Sequence, residues 1–225
     1  MIKGFRYALK KFWSEAFSGD ILILSLSIVL AVTSISSVSF LGDRLQTSMK
    51  LQASSILGAD LVLRSASAID PNYLELGVAN NLDTAETITF LSMVITDDDN
   101  LLTSIKTTSE SYPLKGELII ADFDGSLIQT SGSPPSGSVW IEPKIAETLS
   151  INNFTEISIG NKTFKVDGII KDFPDRNSSF VGFYPIAIVN INDVSEMGVI
   201  QTGSRVIYRN MFSGSKRNLD NFVND

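Results

Sequence analysis

The sequence predicts an α+β fold: an N-terminal transmembrane helix that continues as a stalk, followed by a mixed α/β extracytoplasmic domain with a β-rich subdomain. Three observations support this prediction. Residues 21–42 form a run of 22 residues without a charged side chain. Charge is unevenly placed, with a net +2 in residues 1–20 and a net −9 in residues 43–225. Beyond the uncharged run, short stretches of alternating apolar residues are interleaved with short helical patterns.

The uncharged run has the length and composition of a membrane span, which we assign to residues 20–42. Twenty-two helical residues rise roughly 33 Å, about the thickness of the bilayer hydrocarbon. Because cations precede the run, the positive-inside rule places the N-terminus in the cytoplasm and residues 43–225 outside. Five hydroxyls between Thr33 and Ser39 favour packing against other helices. The alternatives are a cleaved signal peptide, whose apolar stretch would be shorter, and a buried helix of a soluble protein.

Residues 1–19 predict a short amphipathic helix. One helical face of this segment is apolar, and the cations lie off that face. Such a helix fits the inner membrane interface, where its cations face anionic lipid, and packing on other protein is the alternative. The apolar residues of this face are Ile2, Phe5, Leu9, Phe12 and Ala16.

The acidic body, residues 43–225, begins with a continued helical stripe that ends at Gly58, a residue type common just beyond a helix C-terminus. The pattern then predicts strands at 60–64, 87–95, 101–107, 118–122 and 139–141, a hairpin over 156–170, and strands at 184–191 and 205–208. The hairpin turns at Gly160-Asn161. Helices are expected at 71–80, 143–149 and 219–223, and loops at 129–138 and 174–179. The β-rich part lies near 138–172.

Composition excludes several kinds of chemistry. The chain has no cysteine and no histidine. It therefore has no thiolate nucleophile, no cysteine-based metal site, no imidazole base and no Ser-His-Asp triad. The acidic balance of residues 43–225 argues against nucleic-acid binding, which requires clustered Lys and Arg. No residue is predicted to be catalytic, cofactor-binding or metal-ligating, and the chain is predicted not to be an enzyme.

Several short motifs have simpler explanations than a site. The Asp97–Asp99 and Asp122–Asp124 segments lack the ligand spacing of a calcium loop and are better explained as turns. No phosphate-binding loop motif is present, and no Ser–Lys pair is singled out. Asn-X-Ser/Thr matches, short enough to arise by chance, occur at Asn153, Asn161 and Asn177.

Five segments together resemble the N-terminal portion of YbbP-like ABC transporter permeases of the FtsX/MacB-like superfamily. Their order and spacing carry the resemblance, which covers nearly the whole chain. The segments are the span with Gly42-Asp43-Arg44-Leu45 and then residues 57–65, residues 112–118, residues 135–142 leading to Leu149, residues 172–176, and residues 201–208.

The resemblance implies an architecture and partners. Residues 43–225 would form a MacB-like periplasmic core domain, and a C-terminal FtsX domain with further helices would be absent. The family places such chains in the bacterial inner (plasma) membrane, where a separate cytoplasmic ABC ATPase subunit drives motion of the outer domain, with a suspected link to lipids or hydrophobic compounds. The implied partners are this ATPase, the remaining permease helices and the lipid bilayer. Since the sequence stops at Asp225 without a second span, we expect a fragment, a truncation or one piece of a split permease.

Three functions follow from these features. The leading one is a permease subunit that couples ATP hydrolysis by a separate ATPase to motion of an extracytoplasmic domain. The alternatives are a single-span anchored binding module without transport, and an anchored hydrolase. The first residues to mutate are Gly58 and Asp60, where the stalk meets the outer domain, and then Arg176 and Arg205. For both arginines, a structural ion pair or carbonyl contact is the simpler explanation.

Overall fold

The computed structural model describes residues 19–130, 132–152, 155–176, 183–201 and 203–224. The chain divides into one unit of residues 1–51 and a second of residues 52–225. The amphipathic helix predicted for residues 1–19 lies, except for Gly19, outside the described residues. Asn153 and Asn177 also lie outside them.

The first unit contains most of helix α1, Gly19–Leu57. Its segment Leu22–Gln46 has a mean hydropathy of 2.1 and is exposed throughout, so by length and composition it could cross a membrane. The hydroxyls of Ser27 and Thr33 donate to backbone carbonyls four residues earlier, over 2.8 and 2.6 Å. These bonds satisfy polar groups that would be costly in an apolar environment.

In the second unit, the described strands form one mixed sheet. Its strands are β1 (Leu61–Ser65), β2 (Asp83–Ile95), β3 (Asn100–Thr108), β4 (Leu118–Ala121), β5 (Leu127–Thr130), β6 (Ser138–Ile141), β7 (Glu156–Ile159), β8 (Lys162–Asp172), β9 (Ile186–Asn190) and β10 (Val206–Ser213). Their order is β1-β10-β2-β3-β9-β6-β8-β4-β5, with β7 paired to β2 and β8. The β3–β9 and β6–β8 pairs are parallel and the others antiparallel.

Helices connect or cover these strands. They are the last turn of α1, α2 (Asn72–Ala79), α3 (Pro143–Thr148), α4 (Val194–Met197) and α5 (Lys216–Asn224), with a 3₁₀ turn at Ile191–Asp193. The predicted fold class is confirmed: one N-terminal apolar helix precedes a mixed α/β domain. The strands of the β-rich part near 138–172 join the same sheet as the other strands.

Several predicted boundaries were wrong. Gln129 and Thr130, expected in a loop, belong to β5, because pairing with β4 orders an end strand that composition alone does not predict. β10 continues five residues past Tyr208, since it pairs with β2 along its whole length and with β1 over residues 208–212. Pro71 precedes α2 as its N-cap instead of starting it. The 3₁₀ turn and α4 were not predicted.

The two faces of the sheet differ in polarity. One face carries the main apolar core, which includes Ile88, Ile105 and Val189 and packs under α3 through Ile145. Because side chains alternate along a strand, the neighbours of these residues project to the opposite face. There, Thr89 lies opposite Lys106 and Thr87 lies opposite both Thr108 and Arg209. All five of these side chains are buried, so this second face combines burial with polarity.

Candidate functional site

The last turn of α1 is held by backbone groups from other parts of the second unit. We call this region the junction; it comprises residues 56–60, 112–116, 172–176 and 209–214. The amide of Asp175 donates to the carbonyl of Ile56 over 2.6 Å, and the amide of Lys115 donates to the carbonyl of Gly58 over 2.9 Å. The final carbonyls of a helix have no donor within the helix. One loop therefore supplies a donor to a carbonyl in the last turn of α1, and a second loop binds the residue that follows the helix.

Gly58 ends α1 with a left-handed conformation, φ +73°. A Cβ at this position would lie 3.0 Å from the Cε of Met211 and 3.5 Å from the Cγ of Pro174. Both the backbone conformation and the close approach of β10 therefore favour glycine. The helix end predicted at Gly58 is confirmed.

Asp60 connects the start of β1 to the end of β10. Its Oδ2 accepts from the Ser213 hydroxyl over 2.8 Å and from the Gly214 amide over 3.3 Å. It also forms an ion pair with Lys115 at 3.6 Å, in which both side chains are partly exposed. Exposed ion pairs contribute little, about 0–1 kcal/mol, so the two hydrogen bonds carry most of this contact.

Asp175 is the centre of a buried polar cluster that the sequence did not reveal. Its Oδ1 forms an ion pair with the Lys106 ammonium on β3 and accepts from the Tyr112 hydroxyl over 2.8 Å. Its Oδ2 pairs with Arg209 on β10 over 2.6 Å. The Lys106 ammonium also donates to the Tyr112 oxygen over 2.8 Å. Lys106, Asp175 and Arg209 each have side chains at most 6% exposed.

Two cations share one carboxylate in this cluster, and burial shifts the pKa values of Lys106 and Tyr112. Burial lowers the pKa of Lys106, although the carboxylate of Asp175 opposes the shift. Burial and the same carboxylate raise the pKa of Tyr112 well above 10.0. Since an uncompensated buried charge is costly, the single carboxylate is the critical member of the cluster.

Arg176 has the structural role that was the simpler explanation for it. It forms an ion pair with Glu142, whose other oxygen accepts from the Ile186 amide over 3.0 Å. The guanidinium also lies 5.8 Å from the centre of the Phe173 ring. Beside this pair is a cleft of about 600 Å³. Its lining residues are Ile56, Gly116, Glu117, Ile119, Asp172, Phe173, Pro174, Asp175 and Arg176.

Three of the four residues selected from the sequence lie at or beside the junction. Gly58, Asp60 and Arg176 belong to it, and Arg176 also lines the cleft. Arg205 is exposed and lies one residue before β10, at the opposite end of that strand from Ser213. Sequence reasoning missed Lys106, which lies in an otherwise unremarkable strand. The available signal for its role was a lysine inside a predicted strand, where apolar residues and threonine surround it.

A second polar cluster anchors the loop before β6. Asp193 accepts from the Ser136 hydroxyl, from the Gly137 amide over 3.0 Å and from Lys162 over 2.8 Å. Burial would raise the pKa of Asp193, but these three bonds outweigh it and hold the pKa below 3.8. Ser136 and Lys162 thus bind one carboxylate, which is an arrangement suited to fixing a loop.

The aspartates of the two predicted turns bind their own turns. Thr96 and Asp99 are joined by a backbone bond of 2.9 Å, and Asp124 accepts from the amide and hydroxyl of Ser126 over 2.8 and 2.6 Å. Within the described ranges, no group of three or more acidic, cysteine or histidine side chains could hold a metal ion.

The chain is 28% identical over 214 residues to an uncharacterized ABC transporter permease, YbbP, of Escherichia coli (strain K12). The predicted resemblance to YbbP-like permeases is confirmed. The match covers 94% of this chain and 25% of the relative, so the chain spans about a quarter of the length of that YbbP. No family model matches the chain.

Two solved structures are also similar to it. The extracellular domain of the noncanonic ABC-type transporter YknZ from Gram-positive bacteria has 12% identity and a TM-score of 0.49, covering 70% of this chain and 79% of that domain. The periplasmic region of MacB from Actinobacillus actinomycetemcomitans has 10% identity and a TM-score of 0.48, and the match covers 78% of this chain and 86% of that region.

Proposed function

We propose that this chain is the portion of an ABC transporter permease subunit that anchors and carries a mobile extracytoplasmic domain. ATP hydrolysis by a separate cytoplasmic ATPase subunit drives the domain, and the exported material is a lipid or another hydrophobic compound. The similarity to YbbP over 214 residues is the single observation that carries this proposal. The exposed apolar segment of α1 supports it, because such a segment suits a lipid environment.

The proposal includes a topology. Residues 20–42 cross the bacterial inner membrane, residues 1–19 face the cytoplasm, and the domain of residues 43–225 lies outside. The cations of the N-terminal segment support this orientation. The partners are the ATPase, further permease helices and the bilayer.

The absence of cysteine makes the topology directly testable. Single variants Asp98→Cys, in the exposed turn between β2 and β3, and Ser14→Cys, in the basic segment, can be labelled without background. In intact cells, a membrane-impermeant thiol reagent should label the variant at position 98. The variant at position 14 should react only after permeabilisation. The reverse pattern would contradict the proposed orientation.

ATP coupling requires a second experiment. The chain should be tagged and purified from membranes that contain the complete transporter, in the presence of ATP or of a non-hydrolysable analogue. We expect an ABC ATPase in the purified complex, and amide exchange in residues 52–225 that differs between the two nucleotides. A purified chain that binds a lipid or protein without an ATPase would instead support the anchored binding module.

A further inference from the structure

Several structural elements of the second unit meet at one residue, Asp175. It lies in the turn after β8 and has a left-handed backbone, φ +59°. Among residues other than glycine, Asp and Asn adopt this conformation most readily. The contacts of Asp175 show what the turn holds in place.

The backbone of Asp175 binds the end of α1. Its amide reaches the carbonyl of Ile56, which lies in the last turn of the helix, over 2.6 Å. Carbonyls in this turn lack a donor within the helix. The turn of residues 173–176 therefore caps α1 from outside.

The side chain of the same residue binds the middle of the sheet. Its two oxygens bind Lys106 on β3 and Arg209 on β10, which are the two strands on either side of β2. The carboxylate thus extends across β2 and holds both neighbours at once. Leaving this position would separate it from two buried cations, so small displacements are strongly resisted.

Tyr112 extends the connection to a second loop. Its hydroxyl binds Asp175 over 2.8 Å, and three residues later the amide of Lys115 binds the carbonyl of Gly58 over 2.9 Å. The Tyr112 hydroxyl also lies 3.1 Å from the Pro174 carbonyl, so Tyr112 joins its own loop to the turn that contains Asp175. The two loops that bind Ile56 and Gly58 are therefore connected to each other around the Asp175 carboxylate.

We propose that Asp175 is the positioning residue that makes the last turn of α1, residues 52–57, and strands β3 and β10 move as one body. The role of this coupling in transport rests on the proposed function, in which displacement of α1 would be transmitted to the sheet through this turn. The coupling itself is a property of the single chain.

The test measures amide hydrogen exchange of the full chain in detergent micelles, with no ATPase or nucleotide present. In Asp175→Asn, amide exchange should rise roughly 100-fold at residue 175 and also at Lys115. The amide of Lys115 binds the Gly58 carbonyl and makes no bond with Asp175 itself. Amides of β3 and β9, which exchange through global unfolding, should exchange faster only by the factor that the lowered free energy of unfolding of the variant gives. The rise at Lys115 distinguishes coupling from loss of one local contact.

Two further variants complete the experiment. Asp167→Asn is the matched control, because it makes the same chemical change at an exposed position of β8 outside the junction, and its exchange should equal that of the parent. Tyr112→Phe keeps the ring and removes the hydroxyl, so it should raise exchange at Lys115 roughly tenfold even if Asp175→Asn does not fold.

The inference would be overturned by unchanged exchange at Lys115 in folded variants, by exchange at Lys115 that global unfolding of the variant accounts for in full, or by an equal effect in Asp167→Asn. Because no transport component is present, these results are independent of the proposed function. Conversely, a chain without any ATPase partner would refute the proposed function and leave the coupling intact.

Discussion

The buried cluster predicts that its three charged residues differ greatly in importance. Lys106 and Arg209 share the single carboxylate of Asp175. Removing the carboxylate takes the Asp175 charge from both buried cations, whereas removing one cation leaves the other cation paired with it. We therefore expect Asp175→Asn to be severely destabilising and Lys106→Met to be nearly neutral.

The expected magnitudes follow from burial. Breaking a buried ion pair by removing one partner costs about 3–5 kcal/mol, and both pairs here have side chains at most 6% exposed. Asp175→Asn should reach or exceed that range. Lys106→Met loses charge-assisted hydrogen bonds worth about 1.5–3 kcal/mol, but it also removes the several kcal/mol cost of burying an ammonium. Its net effect on the free energy of unfolding should be within about 1 kcal/mol of zero.

Urea unfolding of the full chain in mild-detergent micelles can measure both effects. Trp140 is a suitable probe because it is buried in the sheet next to Ile188. A Trp13→Phe background leaves Trp140 as the sole tryptophan. Arg209→Met is the matched control for Lys106→Met, since it removes the other cation and leaves the Lys106–Asp175 pair.

Titration provides a second readout of the same cluster. Burial lowers the pKa of Lys106 in the folded protein. At pH values between that lowered pKa and 10.5, Lys106 is therefore protonated in the unfolded chain and deprotonated in the folded protein. Stability should therefore rise with pH in this window, until the raised pKa of Tyr112 reverses the trend above 10.0. Lys106→Met should lack the rise. If Lys106→Met destabilises the protein as much as Asp175→Asn, or retains the alkaline rise, the charge argument is wrong.

Three further predictions concern the junction and the second polar cluster. Gly58→Ala should lower the free energy of unfolding by more than Gly125→Ala. Both glycines have a positive φ, but a Cβ at position 58 would contact Met211, whereas a Cβ at position 125 would have no atom within 4 Å. Urea unfolding of the two variants measures the difference. Asp193→Asn should flatten the acid dependence of the free energy of unfolding. In the parent, the lowered pKa of Asp193 stabilises the fold above pH 3.8, and this stabilisation is lost as the pH falls through the lowered pKa. Acid titration monitored by circular dichroism measures the difference. Arg176→Ala should cost about 1–3 kcal/mol in thermal unfolding, because the Arg176 side chain is 47% exposed but its removal takes the cation from the Glu142 carboxylate, which is 8% exposed.

Local patterns were sufficient for much of the fold. Gly58, Gly160 and the alternating runs around them predicted a helix end and a hairpin that the structure contains. These features depend on neighbouring residues, through backbone conformation and side-chain alternation. Strand β5 and the second half of β10 were not predicted, because they are ordered by pairing with strands distant in sequence.

The candidate site shows the same division. Gly58, Asp60 and Arg176 could be selected because each lies in a distinctive local segment. Lys106 could not be assigned, since its partner Asp175 is 69 residues away and nothing in either segment specifies the other. The sequence alone determined the apolar span, the charge asymmetry and the succession of elements, because these depend on composition and local periodicity. Only the tertiary structure brought one carboxylate to two buried cations and to the end of α1, because that arrangement depends on which strands flank β2.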